Sequence, residues 1–100
     1  MSDAVLHFLG IARRGGFLSL GHDAAKESVT GGRAKLCVLS SDASARLEEE
    51  FRTLGNGRLP ILRLPHTMED IKHALGFKAG VLTADDEGIA KRIAGLCAIN

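Results

Sequence analysis

The chain has no tryptophan and no tyrosine, and only four phenylalanines among its 100 residues. A platform of several aromatic rings, on which single-stranded bases would stack, is therefore hard to build. Cysteine is scarce too: Cys37 and Cys97 are the only two and lack the CxxC spacing. That is too few for a secreted disulfide framework, and Cys37, inside an apolar run with no adjacent base, reads as a small core hydrophobe. No stretch of ~18 uncharged apolar residues occurs, and no charged-then-apolar leader ends in a small-residue cleavage site. Membrane spanning and conventional secretion are not expected, no membrane partner is implied, and the cytoplasm is the expected compartment. An excess of one charge is also missing, with 13 basic residues against 12 acidic ones. Whole-chain charge does not announce a nucleic-acid binder; only a local patch could. The first forty residues carry a net +2, residues 41–70 a net −2 and the remainder +1.

At 45% hydrophobic and 25% charged, the composition is that of one globular domain over residues 1–100. A chain of this length buries about 60 to 70% of its extended surface on folding, so one core suffices without metal or disulfide staples. Apolar spacing alternates between helical and strand-like stretches. Val5, Phe8, Leu9 and Ala12 keep a 3.6-residue period behind Ser2-Asp3, and Gly15-Gly16 ends that helix. Phe17–Leu20 predicts a short strand and His22–Thr30 a helix with Ala24, Ala25, Ser28 and Val29 inward. Gly31-Gly32 closes it where left-handed dihedrals suit glycine. Leu36–Leu39 is a continuous apolar run, as in a strand covered on both faces. Asp42 is placed to cap a helix whose stripe is Ala43, Leu47, Phe51 and Leu54, with Glu48–Glu50 toward solvent. After the Gly55-Asn56-Gly57 turn, Pro60 opens an extended Ile61–Leu64. Thr67 with Asp70 fits a capping box before Ile71, Ala74 and Leu75, and Gly76 ends that helix. Val81–Thr83 is the last strand. Asp85, Asp86 and Glu87 then crowd a helix N-terminus, where they complement its dipole, with Ile89, Ile93 and Leu96 inward. The order αβαβαβαβα argues for an α/β fold in which one sheet lies between helical layers.

No catalytic constellation emerges. Gly10–Gly16 lacks the Lys-Ser/Thr pair of a phosphate loop. His7, His22, His66 and His73 have no i, i+4 ligand spacing and read as surface residues. No Ser/His/Asp arrangement or paired carboxylates stand out. The chain is thus expected not to be an enzyme, with no cofactor, no metal and no small-molecule substrate. What remains is Gly21 ahead of a helix N-terminus, where glycine permits close backbone approach and the first free N–H groups could receive a phosphate or a base edge. Arg13-Arg14 and Arg33-Ala34-Lys35 are near in sequence.

Several segments are familiar in order. Ala12–Gly21 (ARRGGFLSLG) resembles the ARKAGKLVSG-type opening of the ribosomal protein L7Ae/L30e family. Arg33–Ser44 (RAKLCVLSSDAS) resembles its G-K-A-K-L-V-I-L-A-x-D-A-S segment, and Leu59-Pro60-Ile61 its x-V-P-V strand start. Leu75-Gly76 and Asp85–Ile93 (DDEGIAKRI) resemble its L-G … D-x-G-F-A-K-K-I ending. The resemblance runs over nearly the whole chain and is nearest to the short bacterial members. It implies a three-layer α/β/α sandwich with a mixed four-stranded sheet, and a non-catalytic protein that binds structured RNA, a kink-turn or ribosomal RNA, on or near the ribosome. In the family, the strand-to-helix turn meets the sheared G·A pairs of the kink, and the loop before the last strand packs near a flipped base. Carried over, the first surface is Gly21, His22, Asp23, Ala24 and Glu27, and the second is Gly76, Phe77, Lys78, Ala79 and Gly80. Arg13, Arg33 and Lys35 are the cations expected to take phosphates, and Lys26 is counted with them among the RNA-binding residues. The family pattern G-x-[NK]-[EQ]-x-x-K is altered here: Asp23 and Glu27 bring carboxylates, Ala24 replaces the amide or carboxylate reader, and Lys26 is one position off, about 100° around a helix. The second reading of the same fold is a protein-interaction or adaptor domain whose RNA surface is lost with Ala24 and Glu27.

Overall fold

The computed structural model describes residues 4–99. Its elements are α1 (Ala4–Arg14), β1 (Leu18–Leu20), α2 (His22–Thr30), β2 (Leu36–Leu39), α3 (Ala45–Leu54), β3 (Ile61–Arg63), α4 (Met68–Leu75), β4 (Val81–Ala84) and α5 (Glu87–Ile99). The Ser2-Asp3 helix start lies outside the described residues. The strands form one mixed sheet in the order β1-β4-β2-β3: β4 is antiparallel to both β1 and β2, and β2 is parallel to β3. The register pairs Leu20 with Leu82, Leu39 with Val81, and both Leu18 and Leu36 with Ala84.

Because side chains alternate along a strand, the two inner strands feed two cores. Leu36 and Val38 of β2, with Leu82 and Ala84 of β4, pack with Val5, Leu9, Ile71, Leu75 and Ile93 of α1, α4 and α5. On the opposite face, Cys37, Leu39 and Val81 pack with Ala25 of α2 and Phe51 of α3. The result is the expected three-layer α/β/α sandwich. All residues of β2 and β4 are buried, which accounts for the unbroken apolar run of β2 and for a β4 interrupted only by the hydroxyl of Thr83. Phe51 is fully buried, and replacing such a ring with alanine costs about 3–5 kcal/mol. Desolvation in this core pushes the Cys37 thiol up to about 12, so it is a packing residue at neutral pH.

Caps read from the sequence hold in part. Thr67 and Asp70 form the full capping box of α4, and Gly76 ends that helix with φ 79°. Asp42 does not cap α3: Ser44 Oγ accepts from Leu47 N at 3.0 Å, while Asp42 Oδ1 accepts from Met68 N at 3.0 Å and so serves α4. After α2 the left-handed residue is Gly32, φ 79°, whereas Gly31 stays right-handed at φ −83°. Phe17 and Leu64 fall outside β1 and β3, and Ala84 extends β4. Of the four histidines, His66 is half-buried.

The acidic run at the start of α5 divides by role. Asp86 Oδ2 accepts from Ile89 N at 3.0 Å, as a helix cap does. Asp85 faces inward. Its carboxylate accepts from Ser19 of β1 at 2.5 Å, Ser28 of α2 at 2.6 Å and Thr83 of β4 at 2.9 Å. Its N–H donates to Phe17 O at 2.9 Å. Dipole compensation is thus the wrong account of Asp85. Ser28 and Thr83 are fully buried and need an acceptor, which the two oxygens of the Asp85 carboxyl, with several lone pairs, supply to all three donors.

Asp85→Ala is therefore expected to destabilise the protein by about 3 kcal/mol, since it strands buried hydroxyls, whereas Asp86→Ala removes only a cap, worth about 1 kcal/mol. Urea unfolding of the two variants checks this; equal losses would contradict the division of roles.

Candidate nucleic-acid interface

Gly21 ends β1 and caps α2 with φ 90° and ψ 169°, a region essentially closed to residues with a side chain. Its N–H donates to Val81 O at 3.0 Å, and its carbonyl accepts from Ala25 N at 2.9 Å. A Cβ on Gly21 would come within 3.3 Å of Phe77 Cε1. Glycine is needed there twice, for the dihedral and for the ring that lies against it. That ring joins the two surfaces expected from the sequence: the turn Gly21–Ala24 and the loop Gly76–Gly80 are neighbours at one end of the sheet, the apex. Phe77 remains 42% exposed, and so presents a ring edge or face beside the α2 N-terminus. No side chain caps α2, which leaves its first N–H groups directed outward at the apex.

The flanking residues hold the loop. The Arg13 guanidinium donates to Leu75 O and lies beside Gly76, so it clamps the α4 C-terminus and brings a cation to the apex. Ala79 is buried, and Gly80 O accepts from Ser40 N at 3.0 Å. A side chain at Gly80 would crowd Met68 Sδ at 3.2 Å. Lys78 is exposed, 4.0 Å from Glu69. Asp23, Lys26 and Glu27 are exposed on α2, and Ala24 is half-buried.

Arg33 and Lys35 are not part of this end. They follow the C-terminus of α2, and Lys35 N donates to Ala84 O, at the far end of β4 from Gly21 and Val81. A nine-residue helix is about 13 Å long at ~1.5 Å per residue, so these two cations and the Gly21 turn are separated by the height of the sheet. α2 carries the chain from one end of the sheet to the other before β2 returns, and that produces the separation.

Sequence reasoning also missed Glu50. His22 Nε2 donates to Glu50 Oε2 of α3 at 2.7 Å, and Asp23 Oδ1 lies 3.4 Å from Nδ1. The imidazole meets Phe51 edge-on, with centroids 5.7 Å apart and planes at 85°. Glu50 belongs to an acidic run that reads as a solvent face, and nothing local marks its partner 28 residues away. The hydrogen bond to Glu50, then that to Asp23, raise the His22 pKa above the ordinary 6.5. Among the described residues, no group of three His, Cys, Asp or Glu side chains is placed to hold a metal, and no helix is long and apolar enough to cross a membrane.

A pKa raised on folding contributes stability that is complete below 6.5 and is lost as pH climbs through the higher folded value. His22 is accordingly expected to titrate above 6.5 by NMR, and Glu50→Gln to bring its midpoint down toward 6.5. An unmoved midpoint in Glu50→Gln would show that the 2.7 Å contact does not hold in solution.

No protein-family model and no curated protein matches this chain. Solved structures do. A protein of unknown function from Bacillus halodurans superposes with a TM-score of 0.85 at 22% identity, covering 97% of this chain and 99% of that one. The 15.5kD RNA binding protein of Giardia lamblia superposes with a TM-score of 0.71 at 13% identity, covering 95% of this chain and 82% of that one. At these identities the likeness establishes the fold, a mixed four-stranded α/β/α sandwich shared with these proteins along nearly the whole chain.

Proposed function

We propose that the protein is a non-catalytic RNA-binding module that recognises a kink-turn or another structured RNA through the Gly21–Ala24 turn and the Gly76–Gly80 loop. The observation that carries this reading is the seating of Phe77 on Gly21, which makes one surface of two segments 55 residues apart that the L7Ae/L30e resemblance assigns to RNA. The shared fold with an RNA-binding protein of Giardia supports it. In this reading the free N–H groups of α2 and the Gly21 backbone approach a base edge or phosphate, Phe77 packs on an unstacked base, and Arg13 and Lys78 supply cations. The expected setting is cytoplasmic and ribosome-associated.

One observation favours the adaptor reading on the same face. Asp23, Glu50 and Glu69 place carboxylates around the apex, a rim suited to a basic protein partner. A gel-shift or calorimetric titration with kink-turn RNA in magnesium, against a plain duplex and at two salt concentrations, separates the two. RNA recognition predicts preference for the kink-turn and a salt dependence reflecting about two to four phosphate contacts, each ~0.7–0.9 in slope; absence of kink-turn preference removes this reading.

Glu27→Lys gives a sharper test. Glu27 is exposed on α2, nearly two turns beyond the Gly21 cap, where relatives in the resembling family carry a cation. Reversing its charge is expected to tighten kink-turn binding by about 1 kcal/mol, with a smaller gain for plain duplex because docking geometry contributes besides charge. Equal gains for both RNAs would mean a merely added cation, and no gain for either would take position 27 off the interface.

A further inference from the structure

At the end of the sheet opposite Gly21, two clefts meet at Lys35 and Pro60. One, of about 330 Å³, lies between the C-termini of α2 and α3 and is lined by Val29, Leu54, Leu59 and Arg58 as well as the shared pair. The other, of about 250 Å³, runs along α5 past Ala90 and Lys91, with Glu87 at its edge. The linings thus hold three cations and one carboxylate. Arg33, just outside, folds its guanidinium back toward Gly31. Among the described residues, none of Arg33, Lys35, Arg58 and Lys91 takes part in an ion pair. At the apex, by contrast, His22 and Lys78 each face acidic side chains.

Helix ends do not use up this charge. The C-termini of α2 and α3 each present roughly −0.5 of an elementary charge, so one cation balances both. The α5 N-terminus adds roughly +0.5 and draws three acids: Glu87 at the cleft edge, Asp86 capping the first turn and Asp85 turned inward onto hydroxyls. Within the cleft linings themselves Lys35, Arg58 and Lys91 stand against Glu87 alone, over walls of Val29, Leu54, Leu59 and Pro60, and low-dielectric walls focus such a local field toward an incoming anion. No aromatic side chain lines either cleft, so base stacking has no platform there, and of the groups an RNA presents the phosphates are those that exposed cations take.

We propose that this basal face, centred on Lys35 and Arg58 with Lys91 and Arg33 beside them, is a second RNA surface that binds the phosphate backbone of a duplex, independently of sequence. It rests on the reading that RNA is the partner, but uses a different surface from the one that would recognise a kink. The apex reads shape at close range; the basal face holds charge. Phosphate contacts position a protein on a duplex without reading bases, which is the role of a surface built from exposed cations over an apolar wall.

The test uses the full chain with two probes: a kink-turn RNA with minimal arms and a plain 20-base-pair RNA duplex. Wild type is expected to bind the plain duplex with a salt slope reflecting about three to four phosphates. Lys35→Glu/Arg58→Glu should weaken duplex binding by at least tenfold and flatten the slope by about 1.8, near 0.9 per lost contact, while leaving minimal kink-turn affinity within about twofold. Lys35→Gln/Arg58→Gln, which only neutralises, should lower duplex affinity less but flatten the slope equally, and unfolding midpoints confirm that each variant is folded. Unchanged duplex affinity and slope in either folded variant would overturn the proposal, as would a wild type that binds no duplex at low salt. Failure of the kink-turn reading shows separately, as the absence of preference for the minimal kink-turn in wild type.

Discussion

The arrangement of this protein depends on β4. Val81–Ala84 is buried along its whole length and hydrogen-bonded on both edges, antiparallel to β1 and to β2. Every residue of such a strand is constrained on two faces and two edges, so whatever the chain places at its ends is held to the register of the sheet. At one end, Val81 O takes the Gly21 N–H and Gly80 O takes the Ser40 N–H, which fixes the strand-to-helix turn and the preceding loop against each other. At the other, Asp85 gathers hydroxyls from β1, α2 and β4. One strand therefore positions the apex at its start and ties three elements together at its finish.

That dependence explains what could and could not be seen in the sequence. The element order, the Thr67–Asp70 capping box and the left-handed Gly76 follow from short-range chemistry: alternation of apolar residues, a hydroxyl three positions from its N–H, a residue without Cβ. Each needs only a few neighbours along the chain, and each was legible. The choice of Ser44 over Asp42 as the α3 cap was not, because the Asp42 carboxylate is drawn to Met68 N, 26 residues away. The Asp85 hub joins partners 66 and 57 residues distant, and a run of three acids before a helix looks the same whether or not one of them turns inward. The candidate interface shows the same limit. Gly21 was marked by its place ahead of a helix, and the Gly76–Gly80 loop by resemblance, but Phe77 against Gly21 and Glu50 against His22 are long-range contacts. Arg33 and Lys35 are near Gly21 in sequence and far from it in space, since α2 carries the chain to the other end of the sheet before β2 returns.

Fold likeness and site chemistry are separate kinds of support here. Two solved structures share the architecture at 22% and 13% identity, and an architecture hosts many activities. What distinguishes this chain is local. The apex combines a Gly21 dihedral open to glycine with an α2 N-terminus that no side chain caps, and α2 carries Ala24 and Glu27 behind them.

Affinity for nucleic acid comes largely from cations on phosphates, and selectivity from close geometric contact. In most recognition surfaces the two are interleaved. Under the proposed functions the two overlap only in part here: Arg13 and Lys78 bring cations to the apex among the carboxylates of Asp23, Glu50 and Glu69, while Arg33, Lys35, Arg58 and Lys91 lie at the other end of the sheet. Carboxylates at the apex then oppose a polyanion that does not fit the Gly21–Phe77 surface, so an acidic rim discriminates by repulsion against the attraction that the cations of both ends exert.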